Sequence, residues 1–350
     1  MSKLDNVKIA ALKNILKKNK LNGYIITDFN DLKYFLGSAV AMPGEAVILF
    51  HSKGLYMAVR SLYEASFREQ FPEIKTEGCD ADRAEQIIKQ ANRLGLKNVA
   101  FDSSKEIYAA GKIFAGAGFK EAPGLITALR VSKTEYELKN MRAAAKIAYA
   151  AFEHIRKRLK AGVTEMELCA ELERFMKHKG ASALSFQSIV AFGAGTGNPH
   201  YMPGNVKLKK NMPVMFDFGC IYNDYCSDIT RTVWYGDKPA PEFKKILKIV
   251  REAHDMVAAR AKYGMSGAEI DAIARGHIEA AGYGKYFTHR TGHGIGLEPH
   301  ERGDISQLNK EKIGLNYCFS VEPGIYLLGK FGVRWEDCFY MTESGIKIIN

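Results

Sequence analysis

No Cys-x-x-Cys pair occurs anywhere in this chain, although it has six cysteines (Cys79, Cys169, Cys220, Cys226, Cys318 and Cys338). Without that spacing they form no recognisable metal-binding pattern, and they do not read as the framework of a small secreted protein. They read as small buried hydrophobes. Proline is sparse, at 10 residues in 350, and apolar residues make up 47%, which excludes a disordered or fibrous chain. There is no run of about 18 apolar residues, so no membrane helix is encoded. The start, Met1 to Lys20, is studded with lysines and lacks the apolar core of a signal peptide. A soluble, cytoplasmic protein is expected. A dinucleotide fingerprint is missing too: Gly193-x-Gly195-x-Gly197 carries Asn198 where the last glycine is needed.

What the chain has in excess is positive charge, +11 from 50 basic and 39 acidic residues. Residues 1–125 hold 18 basic and 14 acidic residues, hence +4, and the other 225 hold the remaining +7. The excess follows length, with no basic tail or basic domain. It reads as a solvated surface that prefers anionic company, not as a nucleic-acid footprint.

A length of 350 residues suggests about two domains. Residues 1–125 alternate β-rich runs (Tyr24–Thr27, Ala46–Phe50, Leu55–Val59, Asn98–Phe101) with helical spacing, as in Val7, Leu12, Ile15 and Leu16. A small α/β domain is expected there, with helices covering a sheet. Ala122-Pro123-Gly124 breaks the pattern, and Ser132-Lys133-Thr134-Glu135 reads as a capping box opening a long helix. The domain boundary is placed in this 122–134 stretch, giving domains 1–125 and 126–350.

The second part carries a weak internal repeat. Ala161-Gly-Val-Thr164-Glu-Met-Glu167-Leu168 resembles Tyr263-Gly-Met-Ser266-Gly-Ala-Glu269-Ile270, each with a capping box two residues after a glycine. Each copy then runs into β-rich sequence. Two helix-helix-sheet halves imply a duplicated α+β domain.

The chemistry concentrates in the strands of those halves. Val214 to Tyr235 reads as a hairpin turning at Tyr222-Asn223, so numbers summing to 445 face each other and Asp217 opposes Asp228. Ser320 to Asp337, turning at Gly329, makes numbers sum to 658 and sets Glu322 opposite Glu336. Like charges facing each other among apolar residues are destabilising unless something neutralises them, and a cation is the simplest solution. A turn-capping or lysine-paired role would explain any one acid. It does not explain four in register-matched pairs.

Histidines complete the pattern. Three fall in His289-Arg-Thr-Gly-His293-Gly-Ile-Gly-Leu-Glu-Pro-His300, and His200 ends the glycine-rich run Gly193 to Pro199. His277 sits on the stripe of Ile270, Ile273, Ala274 and Ile278 and is expected to be a core histidine. His51, His154, His178 and His254 are expected at the surface. An oxygen-rich site with imidazole favours Mn²⁺, Co²⁺, Zn²⁺ or Fe²⁺ over sulfur-loving metals and over Ca²⁺ or Mg²⁺. Four carboxylates carry more charge than one divalent ion neutralises, which points to two ions.

At these residues the sequence resembles the proline-specific metallopeptidases of the pita-bread fold, the family of Xaa-Pro dipeptidase and aminopeptidase P. The resemblance rests on Phe216-Asp217-Phe-Gly219, Ser227-Asp228-Ile-Thr-Arg-Thr232, Thr291-Gly-His293-Gly-Ile-Gly296, Val321-Glu322-Pro-Gly-Ile325 and Arg334-Trp-Glu336-Asp337, in the family's order. Residues 1–125, through Asn30, Tyr34 and Gly37, resemble its creatinase-type N-terminal domain less closely. The resemblance implies a duplicated pita-bread catalytic domain of the α+β class behind a smaller α/β domain. It implies two divalent metal ions, Mn²⁺ first, on Asp217, Asp228, His293, Glu322 and Glu336. Glu322 would also shuttle a proton to the leaving nitrogen, and His200 and His300 would steady the tetrahedral intermediate. His289 would line the substrate pocket and Arg334 would support the site and the bound substrate. The implied substrates are short Xaa-Pro peptides, and the implied assembly is a homodimer. Cys220 and Cys338 depart from the family's usual residues, and Cys220, beside Asp217, is expected to bear on metal preference or oxidation. Arg302, after His300, is a candidate for a dipeptide's carboxylate or a surface arginine. Two alternatives stay open: the same fold acting on a small zwitterion, as creatine hydrolases and lyases do, and a non-catalytic binding protein.

Overall fold

The computed structural model describes residues 5–40 and 42–350; residues 1–4, part of the lysine-studded start, and residue 41 lie outside the described residues. The chain forms two units, Met1–Arg130 and Val131–Asn350.

In the first unit the apolar runs become six strands: β1 (Gly23–Ile26), β2 (Ala46–His51), β3 (Gly54–Val59), β4 (Lys75–Gly78), β5 (Val99–Phe101) and β6 (Lys120–Glu121). They form one sheet in the order β4-β3-β2-β1-β5-β6. The three central strands pair antiparallel, while β4, β5 and β6 join in parallel. Parallel neighbours need a crossover, and helices supply it. Helix Arg83–Arg93 opens on Asp82, whose carboxylate accepts from the Ala84 N–H, and buries Ala84, Ile87 and Ala91 against Ile25, Leu49 and Phe101. Helix Leu125–Arg130 closes the unit, with Arg130 Nη1 at 2.9 Å from the buried Asp31 carboxylate.

The second unit opens on helix Glu135–Ile155. Its cap is Thr134, boxed with Glu137, and not Ser132 with Glu135. Ser132 is already extended: it bridges to Tyr317 and donates its hydroxyl to the Leu315 carbonyl at 2.9 Å. The two repeated boxes are both present. Thr164 with Glu167 starts helix Glu165–His178, and Ser266 with Glu269 starts helix Gly267–Ala280. Each cap residue also bridges to a later segment of its own half, Thr164 to Lys207 and Ser266 to Lys312. Each half has its own apolar core.

The first half supplies β7 (Ala183–Leu184), β8 (Ile189–Phe192), β9 (Met212–Phe218), β10 (Cys220–Tyr222), β11 (Tyr225–Cys226) and β12 (Ile229–Tyr235). The second supplies β13 (Gly292–Gly294), β14 (Glu301–Ile305), β15 (Cys318–Val321), β16 (Gly324–Leu327), β17 (Phe331–Arg334), β18 (Asp337–Thr342) and β19 (Gly345–Ile348). Their sheets run β12-β9-β8 and β11-β10-β7 in the first half, and β14-β13-β15-β18-β19 with the ribbon β16-β17 in the second.

The first hairpin corrects the expected register. Ile229 pairs with Phe218 and Thr230 with Asp217, so opposed numbers sum to 447. The turn is Asn223-Asp224, at φ 45° and 71°. Two left-handed residues make the type I′ turn whose twist suits a two-residue hairpin. Asp217 therefore faces Thr230, and Asp228 lies two positions along on the same face. A partner shift of two residues preserves the face, because side chains alternate with period two. In the second hairpin both β15–β18 and β16–β17 keep the sum at 658, as expected, with Gly329 in the turn at φ 78°.

Candidate metal centre and substrate cavity

The nine side chains singled out from the sequence surround one cavity of about 910 Å³ in the second unit. Asp217 is near the end of β9, Asp228 lies between β11 and β12, and His293 is central in β13. Glu322 and Glu336 sit where the second hairpin breaks between its two ladders. Glycines make room for this backbone. A Cβ on Gly219 would lie 1.8 Å from the Ser227 carbonyl oxygen, and one on Gly292 the same distance from that of Ser320.

Asp228, His293 and Glu336 are buried, and one ligand atom from each lies within 4.8 Å of the others. The His293 ring lies with Nδ1 at 3.1 Å from the Gly294 carbonyl. With Nδ1 donating there, the Nε2 lone pair faces carboxylates, 3.4 Å from Glu322 Oε1 and 3.7 Å from Asp228 Oδ2. Asp228 Oδ1 and Glu336 Oε1 are buried with no hydrogen-bond partner among the described residues. Acceptors converging on acceptors are unstable unless a cation or protons lie between them. The donor set thus fits divalent metal.

Electrostatics say the same. Burial, then Glu336 and Asp217, raise the Asp228 carboxyl well above its ordinary value. Burial, then Glu322 and Asp217, do so for Glu336. Burial pushes Glu322 up to about 7, with Arg334 opposing and Asp217 assisting. Burial, then His300, lowers His293 to about 3, so its imidazole is neutral and able to ligate.

Around this nest the remaining residues divide by what their polar atoms meet. Arg334 is buried and committed: Nη2 donates to Asp217 Oδ2, Nε to Thr230 Oγ1 at 3.0 Å and Nη1 to Tyr326 OH at 2.7 Å. It holds Asp217 directly and reaches Glu336 through the Thr230 hydroxyl. His289 borders the cavity, yet both its nitrogens are engaged, Nδ1 with the Arg290 carbonyl at 2.7 Å and Nε2 with Tyr326 OH at 2.9 Å. Burial, then Arg334, lowers it to about 3. His300 stands edge-on to His293, ring centres 4.2 Å apart, and His200 is exposed in the cavity wall.

Several assignments change. His277 is half-buried, 3.2 Å from Glu252, and is not a core residue. His51 and His254 are buried, not surface. His254 Nε2 lies 3.2 Å from Asp337, which also accepts from Tyr149 at 2.6 Å and Arg231 at 2.5 Å, behind Glu336. Arg302 is spent on Glu311 at 2.5 Å, away from the cavity lining. Cys220 turns from Asp217 into the core, its thiol toward the Ala144 carbonyl at 3.5 Å.

Sequence reasoning missed Thr230, Tyr326 and Glu165. Glu165 is buried and accepts from Phe192 N, Gly204 N and Tyr201 OH, at 2.8, 3.0 and 2.9 Å, pinning the loop that carries His200. A signal for Tyr326 existed in its flanking glycines. A Cβ on Gly324 would lie 2.5 Å from its hydroxyl, and one on Gly332 2.8 Å from its ring.

Comparison with known proteins follows the same lines. Residues 139–343 match metallopeptidase family M24, and residues 8–132 match the creatinase/prolidase N-terminal domain. An uncharacterized peptidase of Bacillus subtilis is 34% identical over 98% of this chain and 97% of its own. Among solved structures, an Xaa-Pro dipeptidase from Bacillus anthracis superposes with a TM-score of 0.92 at 34% identity, covering 98% of this chain and 96% of that one. An X-Pro aminopeptidase from Thermotoga maritima does so with a TM-score of 0.86 at 30% identity, covering 96% and 97%.

Proposed function

The chain belongs to metallopeptidase family M24, with a creatinase/prolidase N-terminal domain, and from that premise we propose that it hydrolyses the peptide bond preceding proline in Xaa-Pro dipeptides or short Xaa-Pro peptides. The observation that carries this reading is the cluster of buried acceptors at one wall of the cavity: Asp228 Oδ1 and Glu336 Oε1, without a hydrogen-bond partner among the described residues, and His293 Nε2, which faces the Glu322 and Asp228 carboxylates. We assign Asp217, Asp228, His293, Glu322 and Glu336 as ligands of two divalent ions, Mn²⁺ foremost, because the donors are hard oxygens with one imidazole. Such ions lower the pKa of water and polarise a scissile carbonyl.

The protein's own groups supply the rest. The nitrogen released from an Xaa-Pro bond carries no hydrogen and must receive one as the bond breaks. Glu322, a carboxylate facing the cavity beside the other assigned ligands, is the group placed to take up a proton and return it to that nitrogen. His300, lowered by burial and then by Arg290, is a neutral imidazole that can donate N–H to a developing oxyanion. His200 faces the same cavity and shares that role. Phe186, Ile189, Tyr201, Met202 and Phe287 give the cavity an apolar wall for a rigid ring.

Hydrolysis of Ala-Pro against Ala-Ala by the Mn²⁺-loaded protein tests the reading. A methylene-scale mismatch is worth about 1–3 kcal/mol, so a preference of roughly 10–200-fold for Ala-Pro is expected. Equal rates would make it a general dipeptidase. Turnover of creatine with none of Ala-Pro would favour the small-zwitterion chemistry.

A further inference from the structure

Two histidines of the cavity are steadied through their rings. His289 engages both nitrogens, and His293 meets the Gly294 carbonyl through Nδ1. His300 has no such help: its ring stands edge-on to His293 and makes no hydrogen bond among the described residues. Where it points is therefore decided by its backbone, the irregular turn 295–300 between β13 and β14.

One side chain grips that turn from its far end. Glu301, the next residue, folds its carboxylate back so that Oε1 accepts from the Leu297 N–H at 3.0 Å and the Glu298 N–H at 3.4 Å. Its Oε2 accepts from Lys133 Nζ at 2.9 Å, and the Lys133 and Glu301 side chains are 2% and 3% exposed. The fit is close, since a Cβ on Gly296 would lie 2.6 Å from Glu301 Oε2 and 2.7 Å from Lys133 Cε. Lys133 is set in turn by its own N–H, which donates to the Asn316 carbonyl at 2.9 Å. The near end of the turn has separate anchors, the Ile295 N–H on the Cys318 carbonyl at 3.1 Å and the Cys226 N–H on the Gly296 carbonyl at 2.8 Å. His293 on β13 is thus fastened independently of the Glu301 carboxylate, whereas the span leading to His300 depends on it.

A charge pair buried this deeply calls for a reason other than stability. Taking two charges out of water offsets most of what their attraction returns, and an apolar pair of similar volume often serves a fold as well. What an apolar pair cannot do is accept two backbone N–H groups and hold them in one geometry. His200 has backing of the same kind, because Glu165 pins its loop through Phe192, Gly204 and Tyr201.

We propose that the buried Lys133–Glu301 pair is a positioning device for His300. Lys133 fixes the Glu301 carboxylate, the carboxylate fixes the 297–300 turn, and the turn aims the His300 imidazole at the developing oxyanion. The proposal rests on the reading of His300 as an oxyanion donor and deepens it.

The test replaces the pair as a unit, because one charge left alone in the interior destabilises the fold. Lys133→Met/Glu301→Leu should keep its Mn²⁺ occupancy and its KM for Ala-Pro yet lose about ten- to hundredfold in kcat, the scale of an ångström-sized misplacement. Lys133→Met/Glu301→Gln returns a carbonyl acceptor to Leu297 and Glu298 and should recover part of that loss. In a His300→Ala background Lys133→Met/Glu301→Leu should leave kcat within about twofold, because the group it misaims is gone. Equal losses with and without His300 would make the pair a general support and overturn the proposal, as would an undiminished kcat in the paired variant. A His300→Ala protein with full kcat would remove the oxyanion reading and the proposal together. If wild type cleaves no Xaa-Pro substrate, the Xaa-Pro reading fails on its own, and a crystal structure of Lys133→Met/Glu301→Leu still decides the positioning. A displaced His300 ring there supports it, and an unmoved ring overturns it.

Discussion

Thr230 holds Glu336 twice. Its hydroxyl donates to Glu336 Oε2 at 2.7 Å, and its carbonyl accepts from the Glu336 N–H at 3.1 Å. The first repeat's β12 thereby fixes a carboxylate of the second repeat and leaves its Oε1 without a hydrogen-bond partner among the described residues. Thr230→Val keeps the shape and removes the donor. Leaving a buried acceptor unsatisfied costs about 1–3 kcal/mol, more for a charged one. Thermal unfolding and Mn²⁺ titration should both show the variant weaker. Unchanged metal affinity would mean that Thr230 does not orient the ligand.

Metal removal should be visible in stability. Asp217, Asp228, Glu322 and Glu336 converge on one cavity and repel unless protonated or neutralised. At a thousandfold excess over Kd a bound ion adds about 4 kcal/mol by linkage. Chelated protein should therefore melt well below the Mn²⁺-loaded form. Coincident melting curves would count against the site.

Ligation and turnover should separate between two histidines whose rings touch. His293→Ala should lower metal occupancy and activity together. His300→Ala should retain metal and melting temperature yet lose about 10²–10³ in kcat, the usual cost of one oxyanion donor. Metal analysis of the two purified variants decides between them, and the inverse pattern would exchange their roles.

The buried His289 should leave a signature in the acid limb of stability. Its folded-state value of about 3 lies below the ordinary 6.5, so the unfolded chain binds the proton first. Its contribution is fully present above pH 6.5 and is lost as pH falls toward 3. The slope is about 1.4 kcal/mol per pH unit per proton. With both proteins chelated, denaturant unfolding of His289→Asn should show a shallower decline across that window than wild type. Parallel curves would mean that His289 is protonated in the fold.

Much of the site was legible because its constraints are local. The capping boxes at Thr164 and Ser266 are three-residue patterns, and the 658 register follows from one glycine turn. The carboxylate pairs stood out because acids inside apolar strands are costly wherever the chain goes. The 445 register failed for a local reason of its own. Asn223 and Asp224 both tolerate positive φ, and moving the turn by one residue exchanges the partner of Asp217 from Asp228 to Thr230.

The sequence by itself marked the candidates for the chemistry: Asp217, Asp228, Glu322 and Glu336 by charge and spacing, and His293 as a ligand through the family resemblance. Only the tertiary structure decided how they are held and which partner each nearby arginine takes. Arg334 stood out through its motif, but no pattern along the chain shows which acid Arg275, Arg290, Arg302 or Arg334 pairs with. Their partners are separated by 4, 14, 9 and 117 residues, as Asp271, Asp304, Glu311 and Asp217. What distinguishes them is how many donors folding has already used and how far water is excluded, and both are fixed only when distant segments pack together.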